Sequence, residues 1–243
     1  MYHIFMCGRL DQNGISRLLD NFDWVDELLN RSQAASQWNV KPGTYRPVLH
    51  IEDGRLVADD LFWGYRSLWA AEQTPVPPKK KISMTPNARR EKLLGPYWKP
   101  LLRRGRGVVC AAGWYEWTGP KELRQPWHIH RKDREPLFLL AVANFGPYKV
   151  RPEEAGFALV TADSLGGMVD VHDRRPVAVS AEDARRWLDP SITVEEAENI
   201  ARTAMLDVEL FEWYQVSRSL NVGGEGPEMA VPLTASQPIQ LDI

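Results

Sequence analysis

Between Gly107 and Asp163 the chain writes one strand-like segment after another: GVVCAAGWYEW, PWHIH, PLFLLAVAN and a further apolar run near residues 154 to 163. β-branched and aromatic side chains recur in them, the types that fit a pleated, half-buried surface. A mixed sheet is the economical way to pair so many segments. Upstream, RPVLHIEDGRLVADDLFWGY reads as two more strands joined at Asp53-Gly54, a pair suited to the positive φ angles of a tight hairpin turn.

Helices are sparser. Ile15, Leu18, Leu19 and Phe22 stand at helical spacing in ISRLLDNFDWVDELL, residues 15 to 29, and predict a first helix. Near the C-terminus, Ser180 with Asp183 and Thr193 with Glu196 repeat the pattern of a hydroxyl followed three residues later by an acid, which caps a helix start. Trp187 and Leu188, then Ile200, Ala204 and Met205, would face the sheet. Between Gln73 and Pro86, four prolines and three consecutive lysines predict an exposed loop, a candidate rim for a site.

No internal repeat or linker divides the sequence, so one domain is expected over 6–232, with 1–5 as a leader and 233–243 as a weakly patterned tail. A chain of 243 residues can bury a core large enough to fold without cross-links. Its two cysteines, Cys7 and Cys110, are far apart and form no CxxC, which suits a reducing setting. MYHIF lacks the basic and apolar regions of a signal peptide, and no stretch approaches the roughly 20 apolar residues of a membrane span. A cytoplasmic protein without a membrane partner is expected.

The formal net charge of −2 argues against a uniformly basic nucleic-acid binder, so any such site must be a local patch. Basic runs exist at Lys79 to Lys81, Arg89-Arg90, Arg103 to Arg106 and Arg174-Arg175, although such runs are usually solvated surface. Ten tryptophans suit either packing or stacking on unpaired bases.

Four polar residues stand out from apolar or glycine-bearing contexts: Cys7 in FMCGR, Asn87 in TPNARR, Glu116 in GWYEW and His172 in VDVHDRRP. A carboxylate among Trp114, Tyr115 and Trp117 is costly to bury ionised and would suit general acid or base work. The plainer alternative is a surface salt bridge to a nearby arginine. His172 sits in a segment too polar for a core interior, which favours a cleft, whereas Asn87 could be only a turn residue. Cys110 reads as an inert buried strand residue. His128 and His130 alternate onto one strand face without an obvious third ligand, so no metal site and no cofactor are expected.

Two chemistries fit this set. One is a thiol hydrolase, in which His172 activates Cys7. The other needs Cys7 as the N-terminus: its α-amine, of ordinary pKa near 8, attacks an aldehyde, and its thiol closes a five-membered thiazolidine on the same carbon.

Taken together, MCGR (Met6 to Arg9), WNVKPG (Trp38 to Gly43), FWGY (Phe62 to Tyr65), NAR (Asn87 to Arg89), GWYEW (Gly113 to Trp117), HDRRP (His172 to Pro176) and VSRSLNV (Val216 to Val222) resemble the SRAP family, the SOS-response-associated peptidases. The resemblance runs from Met6 to about residue 232. It implies a compact α+β domain with a barrel-like mixed, mainly antiparallel sheet and flanking helices, acting as a monomer. It also implies a basic groove for single-stranded DNA, in which abasic sites are shielded by a covalent crosslink to the N-terminal cysteine.

By that resemblance Cys7 supplies amine and thiol, and Asn87 positions the cysteine and the sugar aldehyde. Glu116 acts as acid and base, while His172 holds the phosphate and assists proton transfer. Arg9, Arg89 and Arg174 would contact phosphates, and Pro42, Trp69 and Trp117 would wall or stack on flanking nucleotides. This chain departs from the family pattern in the MYHIF segment ahead of Met6, in REKLL after NAR, and in Ala70 after Trp69. Translation from Met6 is the expected reading of the first departure, beside removal of the leader by the protein itself and loss of crosslinking. With the leader retained, a non-covalent single-stranded DNA module is the alternative function.

Overall fold

The computed structural model describes residues 8–14, 19, 28–66, 84–145 and 156–233. Its frame is two sheets. A five-stranded sheet runs β14 (Phe211–Gln215), β9 (Gln125–Arg131), β8 (Gly113–Thr118), β1 (Arg9–Gln12), β3 (Gln37–Val40). The larger sheet contains β4 (Tyr45–Glu52), β5 (Arg55–Trp63), β7 (Arg106–Ala111), β10 (Leu137–Ala143) and β11 (Gly156–Asp163). Antiparallel pairing links β5 to β4, β4 to β7, β7 to β10 and β10 to β11. A parallel pairing of Gly156 with Phe62 and Phe157 with Trp63 then returns β11 to β5. The five strands thus close on themselves, which removes the open edges that would otherwise invite pairing with other chains.

Shorter strands decorate this ring: β2 (Leu28–Asn30) on β5, β6 (Asn87–Arg89) and β12 (Arg174–Pro176) on β11, and β13 (Ala178–Val179) on β10. The Asp53-Gly54 turn forms as expected, with φ of 51° and 78° joining β4 to β5. Glycine is also required where the ring closes, because a Cβ on Gly156 would lie 1.8 Å from the Gly64 carbonyl oxygen.

Alternation along the central strands divides the interior. Phe138, Leu140 and Val142 of β10, with Val108 and Cys110 of β7, pack in a cluster that includes Trp187 and Ile200. Leu137, Leu139 and Ala141, with Val109, point the other way, into a cluster shared with Leu10, Trp114 and Ile129 of the second sheet. Strands covered on both faces read as continuous apolar runs, hence PLFLLAVAN.

The helices α1 (Lys99–Arg104), α2 (Ala181–Leu188) and α3 (Val194–Thr203) flank the ring. The Ser180 side chain caps α2, and Thr193 and Glu196 form a reciprocal capping box on α3. Trp187 and Ile200 are buried as their spacing predicts, and Ala204 and Met205 pack against the same cluster. Arg106, from a run that suggests solvated surface, is instead buried. Its guanidinium donates to the carbonyls of Leu102 (2.8 Å) and Trp187 (2.7 Å), closing the C-terminal ends of α1 and α2.

The sequence differs from the fold at the predicted first helix. Leu19 is helical and buried, but Leu28 and Leu29, assigned to that helix by periodicity, form β2 in parallel register with Leu56 and Val57. Tertiary pairing at the β5 edge outweighs the local pattern there. The proline-rich loop to Lys81 and the tail after Leu233 lie outside the described residues.

Candidate active site

The β1 strand begins at Arg9 and pairs antiparallel with β8, Arg9 opposite Tyr115 and Leu10 opposite Trp114. That register brings Gly8, just ahead of the strand, and Glu116 to the same cleft of about 830 Å³. Pro42, from the loop after β3, Trp117 of β8 and His172, from the turn before β12, also line it. Gly8 carries the peptide bond to Cys7, which itself lies outside the described residues.

Glu116 is only 2% exposed, so it is an interior carboxylate and does not lie on the surface. Trp127 of β9 stands opposite it in the strand register. His172 is half-buried, and burial holds its pKa below the ordinary histidine value, partly opposed by the charge of Asp173. Its Nδ1 accepts the backbone N–H of Arg174 at 3.0 Å. The same Nδ1 stands 3.0 Å from Asp173 Oδ1, a carboxylate contact that calls for a proton on Nδ1, so the two contacts favour opposite tautomers.

Arg9 donates from Nε to Asn39 Oδ1 (2.9 Å) and from NH1 to the Gly8 carbonyl (3.0 Å), with its guanidinium 5.8 Å from the Trp117 ring centroid. Burial lowers its pKa, yet an arginine remains charged. Lys41, Lys121 and Arg124 add cations around the cleft. One basic concavity thus exists on a chain whose net charge is −2, as a local patch requires.

The structure therefore gathers Arg9, Pro42, Glu116, Trp117 and His172. Asn87 and Arg89 lie on β6, in parallel register with Leu159 and Thr161 of β11, and neither lines this cleft. Arg89 is exposed, Asn87 half-buried. Arg174 occupies a buried clamp instead of an open face: NH1 reaches Glu91 (2.9 Å) and Asp163 (2.6 Å), and NH2 reaches the Thr161 carbonyl (2.7 Å). Trp69 lies outside the described residues.

His128 and His130 are buried beside Asp11 (3.1 Å) and Glu212 (3.3 Å) respectively. Among the described residues, no group of three or more His, Cys, Asp or Glu side chains could hold a metal ion. Cys110 is fully buried, and burial pushes its thiol pKa up, away from reactivity. Among the described residues, no helix is long and apolar enough to cross a membrane.

Sequence reasoning missed Asn39, Asn221, Lys121 and Arg124. Trp117 Nε1 donates to Asn221 Oδ1 at 2.6 Å, and Asn221 Nδ2 donates to the Arg124 carbonyl at 3.0 Å. Both asparagines sit inside WNVKPG and VSRSLNV, so the motifs marked them, but only as members of a set.

Comparison with known proteins places these observations in context. The model of the SOS response associated peptidase (SRAP) family matches residues 6–222. The chain is 32% identical over 234 residues to the abasic site processing protein YedK of Escherichia coli, covering 94% of this chain and 100% of that one. It is 26% identical over 274 residues to the abasic site processing protein HMCES of Gallus gallus, covering 96% and 80%. Among solved structures, a phage-related protein of Bordetella bronchiseptica superimposes with a TM-score of 0.71 at 35% identity, over 87% of this chain and 95% of that one. A Bacteroides thetaiotaomicron protein shares the fold, with a TM-score of 0.70 at 17% identity over 93% and 99%.

Proposed function

The chain belongs to the SOS response associated peptidase (SRAP) family, and on that premise we propose that it processes abasic sites in single-stranded DNA by capturing them covalently at Cys7. The relatives named as abasic site processing proteins support the lesion as target. The observation that carries the reading is the meeting of buried Glu116, half-buried His172 and Gly8, the residue after Cys7, in one basic cleft.

The chemistry balances with these groups. The neutral Cys7 amine adds to the C1′ aldehyde of the ring-opened sugar, forming a C–N bond and a carbinolamine. Glu116 takes the proton shed by nitrogen and returns it to the departing hydroxyl, which leaves as water. The thiol then adds to the C=N carbon, its proton passes to nitrogen, and a thiazolidine results. His172 meets a phosphate oxygen beside the lesion and assists proton transfer. Arg9 and Arg89 meet phosphates, and Pro42, Trp69 and Trp117 wall the flanking nucleotides.

The amine must be free, so the chemistry requires Cys7 to be the first residue. With residues 1–6 attached, the same cleft would hold DNA without a covalent bond. The test mixes protein beginning at Cys7 with an abasic single-stranded oligonucleotide and runs a denaturing gel without reductant. A shifted band is expected, absent in Cys7→Ala. A band that persists in Cys7→Ala, or no band in either protein, overturns the proposal.

A further inference from the structure

Asn39, on β3, is 7% exposed and uses both ends of its amide. Oδ1 accepts from Arg9 Nε at 2.9 Å, while Nδ2 donates to the carbonyls of Leu220 (3.1 Å) and Gly224 (2.9 Å). The amide fits in one orientation only, because a guanidinium can only donate and a peptide carbonyl can only accept.

Leu220 belongs to a C-terminal 3₁₀ segment from Arg218 to Val222 that ends on Gly223 at a φ of 94°, and Gly224 follows directly after that cap. The same turn holds Trp117 through Asn221, and just beyond it Glu225 accepts the Trp38 backbone N–H at 3.0 Å. On the other side, the Arg9 guanidinium that Asn39 fixes also grips the Gly8 carbonyl at 3.0 Å. A continuous chain of hydrogen bonds therefore runs from the C-terminal turn through Asn39 and Arg9 to the carbonyl of Gly8, the residue after Cys7.

We propose that Asn39 is a positioning residue for the nucleophile, anchoring the Arg9 fork so that the Gly8 link presents Cys7 to the aldehyde; the inference rests on the capture reading above. Removing the Asn39 oxygen leaves the Arg9 fork, among the described residues, with its bond to the Gly8 carbonyl and its contact with the Trp117 ring. Loss of one hydrogen bond to a charged group corresponds to about a ten- to hundredfold change. That loss falls on the capture rate if the bond serves presentation of Cys7.

The test uses protein beginning at Cys7 and its Asn39→Ala, Arg9→Lys and doubly substituted forms, with capture followed at saturating abasic oligonucleotide. Each single change is expected to slow capture at least about tenfold, and the double to be no slower than the slower single, since both cut one path. Losses that multiply in the double would make Asn39 merely structural and overturn the proposal. Arg9→Lys keeps the charge, Asn39 and both turn contacts, so it tests the fork even if Asn39→Ala is unfolded. Capture at the parent rate in either single variant contradicts the inference.

A second readout needs no capture at all. In ¹H–¹⁵N spectra of the DNA-free protein, Asn39→Ala should move the Gly8 and Arg9 resonances, including Arg9 Nε–H; unchanged resonances overturn the proposal. A parent that captures nothing defeats the functional reading, while the link from Asn39 to Gly8 still stands or falls on these spectra.

Discussion

Glu116→Gln separates chemistry from architecture at this site. The carboxylate is 2% exposed within β8 and lies opposite Trp127, so an isosteric amide keeps the volume and the strand pairing. What it loses is the ability to carry a proton. A positioned general acid or base contributes about 10²–10⁴ in rate, or roughly 2.7–5.5 kcal/mol of barrier. The lysines lining the cleft, Lys41 and Lys121, are exposed and do not replace a buried carboxylate. Capture time courses on abasic oligonucleotide should therefore slow by at least about a hundredfold. Binding of intact oligonucleotide, read by anisotropy, should be unchanged or slightly tighter, because a negative charge has left a basic cleft. Equal losses of capture and binding would refute the reasoning and make Glu116 a structural residue.

Other consequences concern the frame. His130, like His172, has its pKa lowered, chiefly by burial. A histidine depressed in the folded state gives its full stability above the ordinary value near 6.5 and loses it as pH falls, because the unfolded chain then binds more protons. Urea midpoints should thus drop from pH 7 to pH 5, with a shallower drop in His130→Gln; an identical slope contradicts the assignment. Trp187→Ala empties a fully buried site and removes the indole donor to Gly107, so chemical denaturation should register a loss of about 3–5 kcal/mol. Thr193→Ala breaks the capping box of α3 and should cost about 1 kcal/mol by the same measurement.

Local chemistry was legible where local geometry decides. Asp53-Gly54 declared its hairpin, and the Ser180 and Thr193 caps marked two helix starts to the residue. Continuous apolar runs announced strands buried on both faces. Closure of the ring was not legible, because the parallel contact of β5 with β11 joins segments about 90 residues apart and leaves no mark in either one. For the same reason Leu28 and Leu29 read as helix until β5 supplied them a partner. At the site, Glu116 and His172 stood out as polar residues in unusual contexts. Asn39 and Asn221 did not, since a bridging amide is recognised only by what it touches, and its partners lie on distant strands and turns. Arg174 shows the converse: its sequence context suggested an open cation, whereas Glu91 and Asp163 enclose it.

The central claim concerns one amine, and intact mass measures it directly. Two forms, one beginning at Cys7 and one carrying all residues from Met1, are mixed with the same abasic oligonucleotide and weighed without reductant. The first should give an adduct equal to protein plus DNA less one water, the balance of thiazolidine formation, and the second should give none while still binding. An adduct on both forms, or on neither, would contradict capture by a free N-terminal Cys7.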